Sequence, residues 1–521
     1  MQSAIAIFGR METVTRSRLP VAFSVGLLVA VAIAVRLVHV TTDPIWFDEA
    51  ASLGIASMDW SVILGPMAEA ESSPPGYYVL AKLWMQLFGA NIVSLRMMSV
   101  LAGAASVGVI WVLTRRAFSE AAAWIAAGFV TLAATQVRLS QDGRCYAVLF
   151  LMATLSIWAA IVMVQRLRAD QSWGWPGAGL SVSMAFMLWL HATAGFIILG
   201  LNVLVLAALL PDRRLLWRGV VGLVAVNAAM VLMAALPLWA ILQHALFSDS
   251  FVDRWIEPEG LIDVLRLYGR NFIAPFLGPL SPLAALLQGG LLLAAAWLWW
   301  RTRAPILLGL AVMLVVSGVA LPLVSQFIPV LLPRTAMFLL APLAVLLAIG
   351  ATTLPRRLMF AAVGLLLAMQ AAGVVGWHTL PVRKERWDLA AEVLHRKMHA
   401  GEPIVMTESA FLEISLTESL RAIGAEVPRM VLVPPPAPME ELAADALDTE
   451  TITPDGALGA LLHQSGSVWL VMRDQPASVD NDDGFSSRRR VRKALTAAGG
   501  MLAERIGMPG VEIERWTLRP R

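Results

Sequence analysis

Cysteine is nearly absent from this sequence. Its 521 residues include one cysteine, Cys145, which excludes an intramolecular disulfide framework and any metal site built from several cysteines. Charge is also scarce, because 15% of the residues are charged and the net charge is only +3. By contrast, 58% of the residues are hydrophobic and the mean hydropathy is +0.70, whereas soluble domains are about 45–50% apolar. The composition therefore predicts a polytopic membrane protein.

Eleven segments are apolar enough to cross a bilayer as helices, for which about 20 residues are needed. They lie near residues 20–40, 95–114, 120–138, 146–164, 175–190, 194–210, 219–241, 283–300, 305–325, 335–353 and 358–377. The first is longer than the core of a signal peptide and has no small-residue cleavage pattern behind it. We therefore expect it to remain as an uncleaved span.

The short loops that carry arginine indicate the orientation, because such loops favour the cytoplasmic side. With eleven spans, six arginine-bearing segments fall on one side: Arg10/Arg16/Arg18, Arg115/Arg116, Arg166/Arg168, Arg213/Arg214/Arg218, Arg301/Arg303 and Arg356/Arg357. The N-terminus is then inside, and everything after Trp377 is outside.

The first outer loop, residues 41–94, contains an apolar segment from Pro74 to Gly89 that is too short to cross a bilayer comfortably. Counting it as a span would also invert every later loop, so we interpret it as an interfacial or re-entrant piece. After Trp377, "RKERWDLAAEVLHRKM" predicts an amphipathic helix, and "EPIVMT" and "SVWLVM" predict buried strands. The predicted fold class is therefore a polytopic, all-α membrane module over 1–377, with a soluble α/β domain over 378–521.

Several ionisable residues cluster at the predicted outer ends of the spans, where positive charge is normally avoided. They are Arg36, His39, Lys82, Arg96, Arg138, Asp142, Arg144, His191 and Arg334. Such a ring of cations predicts an anionic ligand, because an ionisable residue at membrane depth is costly. Simpler interpretations stay open: Arg36 and Arg96 as snorkelling anchors, His191 as a cap of a helix turn, and Asp142 as a structural partner of Arg144.

Two adjacent carboxylates, Asp48 and Glu49, follow the first span in "DPIWFDEAAS". Neighbouring carboxylates repel each other, which can raise the pKa of one toward useful basicity. The pair predicts a catalytic role for at least one of these two acids, and the alternative is a solvated helix end.

Six motifs occur in an order that resembles the GT-C glycosyltransferases. They are "WFDEAAS", "SPPGYYVLAKLW", "SLRMMSVLAGAASVGVIWVLTRRAF", "LSQDGRCYAV", "WLHATAG" and "PRTAMFLLAPLAVLLAIG". The similarity covers about residues 20–377, and it is greatest to the bacterial relatives of the protein O-mannosyltransferases (family 39-like) and of the lipid A aminoarabinose transferase. The resemblance implies a GT-C membrane fold in the bacterial cytoplasmic membrane, with the active site facing the periplasm or exterior.

The resemblance also implies roles for individual residues. Asp48 matches the usual catalytic acid, with Glu49 as its neighbour. Arg144 and Arg334 match the family's acidic–x–Arg and Pro-Arg elements, and their guanidinium groups are expected to hold the donor phosphate. Asp142 and His191 match further family positions, and Tyr146 is a further candidate site residue. The sequence departs from the family at Ser73, where His or Lys is common, and at Thr335, where Tyr often follows the arginine. Lys82 or Arg96 is therefore expected to take over a phosphate contact.

The implied reaction transfers a hexose or pentose from a polyprenyl-phosphate sugar to an acceptor hydroxyl. Asp48 would act as general base, Glu49 would orient it, and arginines would stabilise the departing phosphate. The acceptor is a glycan, a glycolipid or a protein, and no nucleic acid is expected. No metal is expected to be required, although a divalent ion between Asp48, Glu49 and His191 is conceivable. The alternatives are a transporter or flippase of lipid-linked sugars and a non-catalytic scaffold that binds envelope glycans.

Overall fold

A computed structural model describes residues 20–71, 73–247, 259–273, 275–434, 438–453, 456–474 and 486–518. Arg10, Arg16 and Arg18, which support the predicted orientation, lie outside the described residues. The chain divides into two compact units. The first contains residues 1–40, 96–248 and 256–379, and the second contains residues 41–95, 249–255 and 380–521.

The first unit is helical throughout its described residues. Its α-helices, in chain order with those of the first outer loop left out, are α1 (Val21–Leu37), α6 (Ile92–Ala117, which begins in the second unit), α7 (Glu120–Leu132), α8 (Ala134–Ser140), α9 (Tyr146–Arg168), α10 (Gly174–Leu190), α11 (Ala194–Leu209), α12 (Arg213–Met233), α13 (Ala235–Phe247), α14 (Leu261–Tyr268), α15 (Ser281–Thr302), α16 (Pro305–Val324), α17 (Leu340–Thr352) and α18 (Arg356–His378). One turn of π-helix, Gly269–Ile273, and two short 3₁₀ helices, Gly278–Leu280 and Met337–Leu339, interrupt the later part.

Six described helices are long and apolar enough to cross a membrane, and a seventh span results if α7 and α8 count as one bent helix. Three shorter apolar helices occur as well: Val21–Leu37, Ala194–Leu209 and Met337–Thr352. The chain is therefore a polytopic membrane protein, as its composition predicts. The number eleven stays a prediction, because several expected spans correspond to helices that are shorter or bent.

Helix α17 is the centre of the first unit. All residues from Leu340 to Ala351 are buried, which is typical of a helix surrounded by protein on every side. It packs against α15 at Gly350, where a Cβ atom would collide with the backbone of Leu291. Helices α16 and α11 also pack closely, because a Cβ on Gly309 would lie 2.6 Å from the carbonyl oxygen of Leu204. Glycines thus let these helix pairs pack closely, as is common in membranes.

The bend between α7 and α8 has a defined cause. Ala133 adopts an extended conformation there, so the helical hydrogen bonds stop and the two helix axes differ by 58°. The fully buried guanidinium of Arg36 donates hydrogen bonds to the freed carbonyl oxygens of Val130 and Thr131, both at 3.2 Å, and to Ser140 Oγ at 3.2 Å. The structure therefore assigns Arg36 to the stabilisation of a broken span.

The second unit joins the first outer loop to the C-terminal residues. The loop contributes the helices α2 (Phe47–Ser57), α3 (Trp60–Ile63), α4 (Pro66–Ala70) and α5 (Gly76–Phe88). Helix α5 covers most of the segment predicted to be interfacial or re-entrant. With 13 residues it is shorter than a span, and it buries one face that contains Tyr77, Tyr78, Ala81 and Met85.

The C-terminal residues form a small mixed sheet with helices. Its strands are β1 (Ile404–Met406), β2 (Met430–Leu432), β3 (Ser467–Arg473), β4 (Gly500–Met508) and β5 (Val511–Leu518), in the spatial order β2-β1-β3-β5-β4. The first three are parallel, and β5 is antiparallel to β3 and β4. The accompanying helices are α19 (Trp387–Lys397), α20 (Phe411–Ala422), α21 (Pro438–Ala446), α22 (Ala457–Ser465) and α23 (Ser486–Ala497). Buried side chains such as Val405, Leu470 and Leu462 form the core of this sheet.

Candidate functional site

Asp48 and Glu49 lie in the first turn of α2. Trp46 before them is extended, and the helix has no side-chain cap at that residue. Carboxylates are favourable near a helix N-terminus, because the free N–H groups leave a partial positive charge there. The pair therefore begins a helix of the first outer loop, and it has an electrostatic reason to be there besides chemistry.

The two acids have different surroundings. Glu49 is fully buried, and its Oε2 lies 3.0 Å from Nζ of Lys384, whose side chain is only 4% exposed. A carboxylate neutralised in this way is poorly placed to accept a proton from an arriving substrate. Asp48 is partly exposed, and its backbone carbonyl accepts a hydrogen bond from Ser52 Oγ at 2.9 Å. Asp48 is thus the less buried of the two acids, although its Oδ2 atom is shielded from solvent.

Lys82 lies at the opposite end of α2. Its Nζ donates hydrogen bonds to the carbonyl oxygens of Met58 at 2.5 Å and Ala56 at 3.4 Å, and it stands 5.4 Å from the centre of the Trp60 ring. A cation is favourable at a helix C-terminus. Because a helix rises about 1.5 Å per residue, this end is roughly 15 Å from Asp48. The structure therefore keeps these two predicted site residues apart within the second unit.

In the first unit, three predicted residues surround the start of α9. The Tyr146 ring is 5.8 Å from the His191 ring and 5.9 Å from the guanidinium carbon of Arg334. Arg138, Asp142, Tyr146 and Arg334 are close enough to interact electrostatically, and so are His191, Arg144 and Arg334. These six residues form what we call the arginine cluster: Arg138, Asp142, Arg144, Tyr146, His191 and Arg334.

Local hydrogen bonds fix the turns that carry this cluster. The backbone N–H of Arg144 donates to the carbonyl oxygen of Asp142 at 2.8 Å, and the carbonyl of Arg144 accepts from Ser99 Oγ at 3.3 Å. His191 Nδ1 accepts a hydrogen bond from the backbone N–H of Thr193 at 3.2 Å, next to the start of α11. His191 therefore fixes the turn before α11, and its ring lies beside that of Tyr146.

Arg96 is buried near the start of α6, and its Nη1 donates a hydrogen bond to the carbonyl oxygen of Val40 at 2.8 Å. It thereby ties α6 to the end of the first span. Among the described residues, no group of three or more His, Cys, Asp or Glu side chains is arranged to hold a metal ion. The expectation that no metal is required stays a prediction.

A cavity of about 510 Å³ opens beside the arginine cluster in the first unit. Its polar lining includes Arg138, Arg270 and Asn271, together with Pro333 and Thr135. No role is expected for Arg270 or Asn271 from the sequence. Arg270 could have been noticed in the sequence, because it lies in a long segment on the predicted outer side, where positive charge is normally avoided.

Part of the sequence matches known glycosyltransferases. A family model described as dolichyl-phosphate-mannose-protein mannosyltransferase matches residues 72–241. The undecaprenyl phosphate-alpha-4-amino-4-deoxy-L-arabinose arabinosyl transferase of Pseudomonas aeruginosa (strain LESB58) is 31% identical over 185 residues, which are 34% of this chain and 32% of that relative. The matched region thus spans about a third of the curated relative.

The likeness to solved structures extends over nearly the whole chain. ArnT from Cupriavidus metallidurans in the apo state has a TM-score of 0.62 at 14% identity, with 95% of this chain and 98% of that chain covered. An oligosaccharyltransferase from Archaeoglobus fulgidus in the apo form has a TM-score of 0.54 at 12% identity, with 88% and 70% covered. At these identities the likeness concerns the fold. The family match and the local sequence identity, each over about a third of the chain, support the resemblance to GT-C membrane glycosyltransferases.

Proposed function

We propose that the protein transfers a sugar from a polyprenyl-phosphate donor to an acceptor hydroxyl at the outer face of the bacterial cytoplasmic membrane. Asp48 acts as the general base. The observation that carries this proposal is the contrast between a partly exposed Asp48 and a buried Glu49 that is paired with Lys384. Such a contrast separates a reacting acid from an orienting one, as the family resemblance implies.

The chemistry needs a base and cations more than it needs a general acid. When the bond between the sugar and the phosphate breaks, the polyprenyl phosphate departs with the negative charge. A phosphate is already a good leaving group at neutral pH. Asp48 removes the proton of the acceptor hydroxyl as the new glycosidic bond forms. Arg144 and Arg334 hold the phosphate, because guanidinium groups match its oxygens and stay charged. The donor class is supported by the ArnT structure bound to undecaprenyl phosphate, which has a TM-score of 0.59.

A turnover assay tests the function. We expect purified protein in nanodiscs to consume a polyprenyl-phosphate sugar, release polyprenyl phosphate and glycosylate an added acceptor without any ion gradient. A flippase would move the intact donor between leaflets without consuming it, and a glycan-binding scaffold would bind the acceptor with no donor present. Donor that stays intact with every acceptor class, whether glycan, glycolipid or protein, would contradict the proposal.

The proposal also includes a topology: eleven spans, the N-terminus inside, and residues 378–521 as an extracytoplasmic α/β domain that covers the site or binds the acceptor. The only native cysteine, Cys145, is buried, so it gives little background in a labelling experiment. Gln464→Cys, at an exposed position of α22, should react with a membrane-impermeant maleimide in intact spheroplasts. Labelling that appears only after lysis would reverse the orientation.

A further inference from the structure

Three consecutive residues after the last membrane helix contact the segment that carries Asp48. Arg383 donates from Nε to both carboxylate oxygens of Asp43, at 3.2 and 3.1 Å, and its Nη2 also contacts that carboxylate. Lys384 forms the buried ion pair with Glu49 at 3.0 Å. Contacts therefore reach the loop both before α2 begins and within its first turn.

The third residue, Glu385, reaches the start of the helix itself. Its Oε2 accepts a hydrogen bond from the backbone N–H of Phe47 at 3.0 Å and another from Trp387 Nε1 at 2.8 Å. Its Oε1 accepts from Nη2 of Arg473 at 2.7 Å. The first N–H groups of a helix have no partner within the helix, so Glu385 supplies a cap that α2 lacks locally.

Packing holds the same helix from the side. The guanidinium of Arg473 lies 4.1 Å from the centre of the Phe47 ring, and the Phe47 ring is 6.3 Å from that of Phe411. Further along α2, Gly54 allows α20 to approach so closely that a Cβ there would be 2.8 Å from both Phe411 and Ile414. The position of α2 is thus set by the C-terminal residues, all within the second unit.

We propose that Arg383, Lys384 and Glu385 form a clasp of positioning residues that orients the carboxylate of Asp48 for catalysis. The clasp contacts Asp43, Phe47 and Glu49, which flank Asp48 on both sides. A displacement of only about 1 Å in a catalytic group can lower a rate about 100-fold. This inference rests on the proposed function, in which Asp48 is the base, and it gives the C-terminal residues a part in the reaction although they need not touch either substrate.

The Arg383–Asp43 pair offers the sharper test, because its side chains, 16% and 6% exposed, are less buried than those of Lys384 and Glu49, 4% and 0% exposed, and so tolerate a change of charge better. Arg383→Asp and Asp43→Arg alone should each lower kcat about 10- to 100-fold. The donor KM and the stoichiometry of donor binding should remain those of the wild type. The double exchange, Arg383→Asp with Asp43→Arg, should have a kcat clearly above that of either single variant, because the ion pair is restored with its charges reversed.

The matched control is an exposed ion pair of the same unit, Arg429 with Glu450. Arg429→Glu should leave kcat unchanged, because exposed pairs contribute little and this pair does not touch α2. If the wild-type protein turns over and the single variants have the same kcat, the clasp is overturned while the proposed function stands. A loss confined to the donor KM, or to the fraction of protein that binds donor, would also overturn it. A wild-type protein without any turnover would overturn the proposed function and the clasp together.

Discussion

Asp48→Asn should abolish measurable sugar transfer while the protein stays folded and binds its donor. Asparagine keeps the size and much of the hydrogen-bonding shape of aspartate, but it cannot accept the acceptor's proton. The expected loss of kcat is roughly 10²–10⁴, which is typical when general-base catalysis is removed. The measurement is the transfer rate together with donor affinity in one preparation. Wild-type turnover in this variant would exclude Asp48 as the base.

Two control variants sharpen this experiment. Asp59→Asn removes an exposed carboxylate of the same loop that makes no capping hydrogen bond to α3, so it should leave turnover unchanged. Glu49→Gln should lower kcat less than Asp48→Asn and should also lower stability, because Lys384 would remain buried beside a neutral group. The double variant should be no slower than Asp48→Asn alone, since neighbouring groups of one site act as a unit.

The sequence predicts the membrane class and the place of the acidic pair because both depend on local patterns. Long apolar runs identify membrane helices regardless of their partners. The pair lies in a loop helix after the first span, where the resemblance placed it. The segment from Pro74 to Gly89, judged too short for a span, forms a helix of 13 residues.

The bend after α7 was not predictable from composition. The segment 120–138 is expected as one span, yet it is divided at Ala133, where neither glycine nor proline marks a break. Arg36 compensates by binding the freed carbonyl oxygens. From the sequence alone, a buried arginine that binds a ligand cannot be distinguished from one that donates hydrogen bonds to the carbonyl groups at a helix break, because both appear as a cation in an apolar run.

The contacts of the clasp cannot be predicted from the sequence, for a different reason. Phe47 and Glu385 are 338 positions apart, so no periodicity or spacing links them. The segment "RKERWDLAAEVLHRKM" predicts only an amphipathic helix, although its second and third residues contact α2. Local patterns identify elements, whereas pairing between distant elements follows from packing that only the folded chain contains.

Arg334→Ala should weaken donor binding by about 10- to 100-fold, the effect expected from losing a hydrogen bond to a charged group. Arg334 lies against Tyr146 in the arginine cluster, which also contains Arg138 and Arg144. Arg144→Ala should have a similar effect. Lysine at either position should recover only part of the affinity, because an ammonium lacks the two-pronged geometry of guanidinium. The measurement is the affinity for polyprenyl phosphate, obtained by titration of the purified protein.

Arg301→Ala is the matched control for these variants. Its guanidinium also lies over an aromatic ring, 5.0 Å from the centre of Trp297, but it belongs to the last turn of α15, at the end predicted to be cytoplasmic. Donor affinity should not change in this control. If both Arg334→Ala and Arg144→Ala also retained wild-type affinity, the phosphate site would have to be elsewhere. Lys82 and Arg96 already donate to backbone carbonyls, so the cavity lined by Arg138 and Arg270 would then be the next site to test.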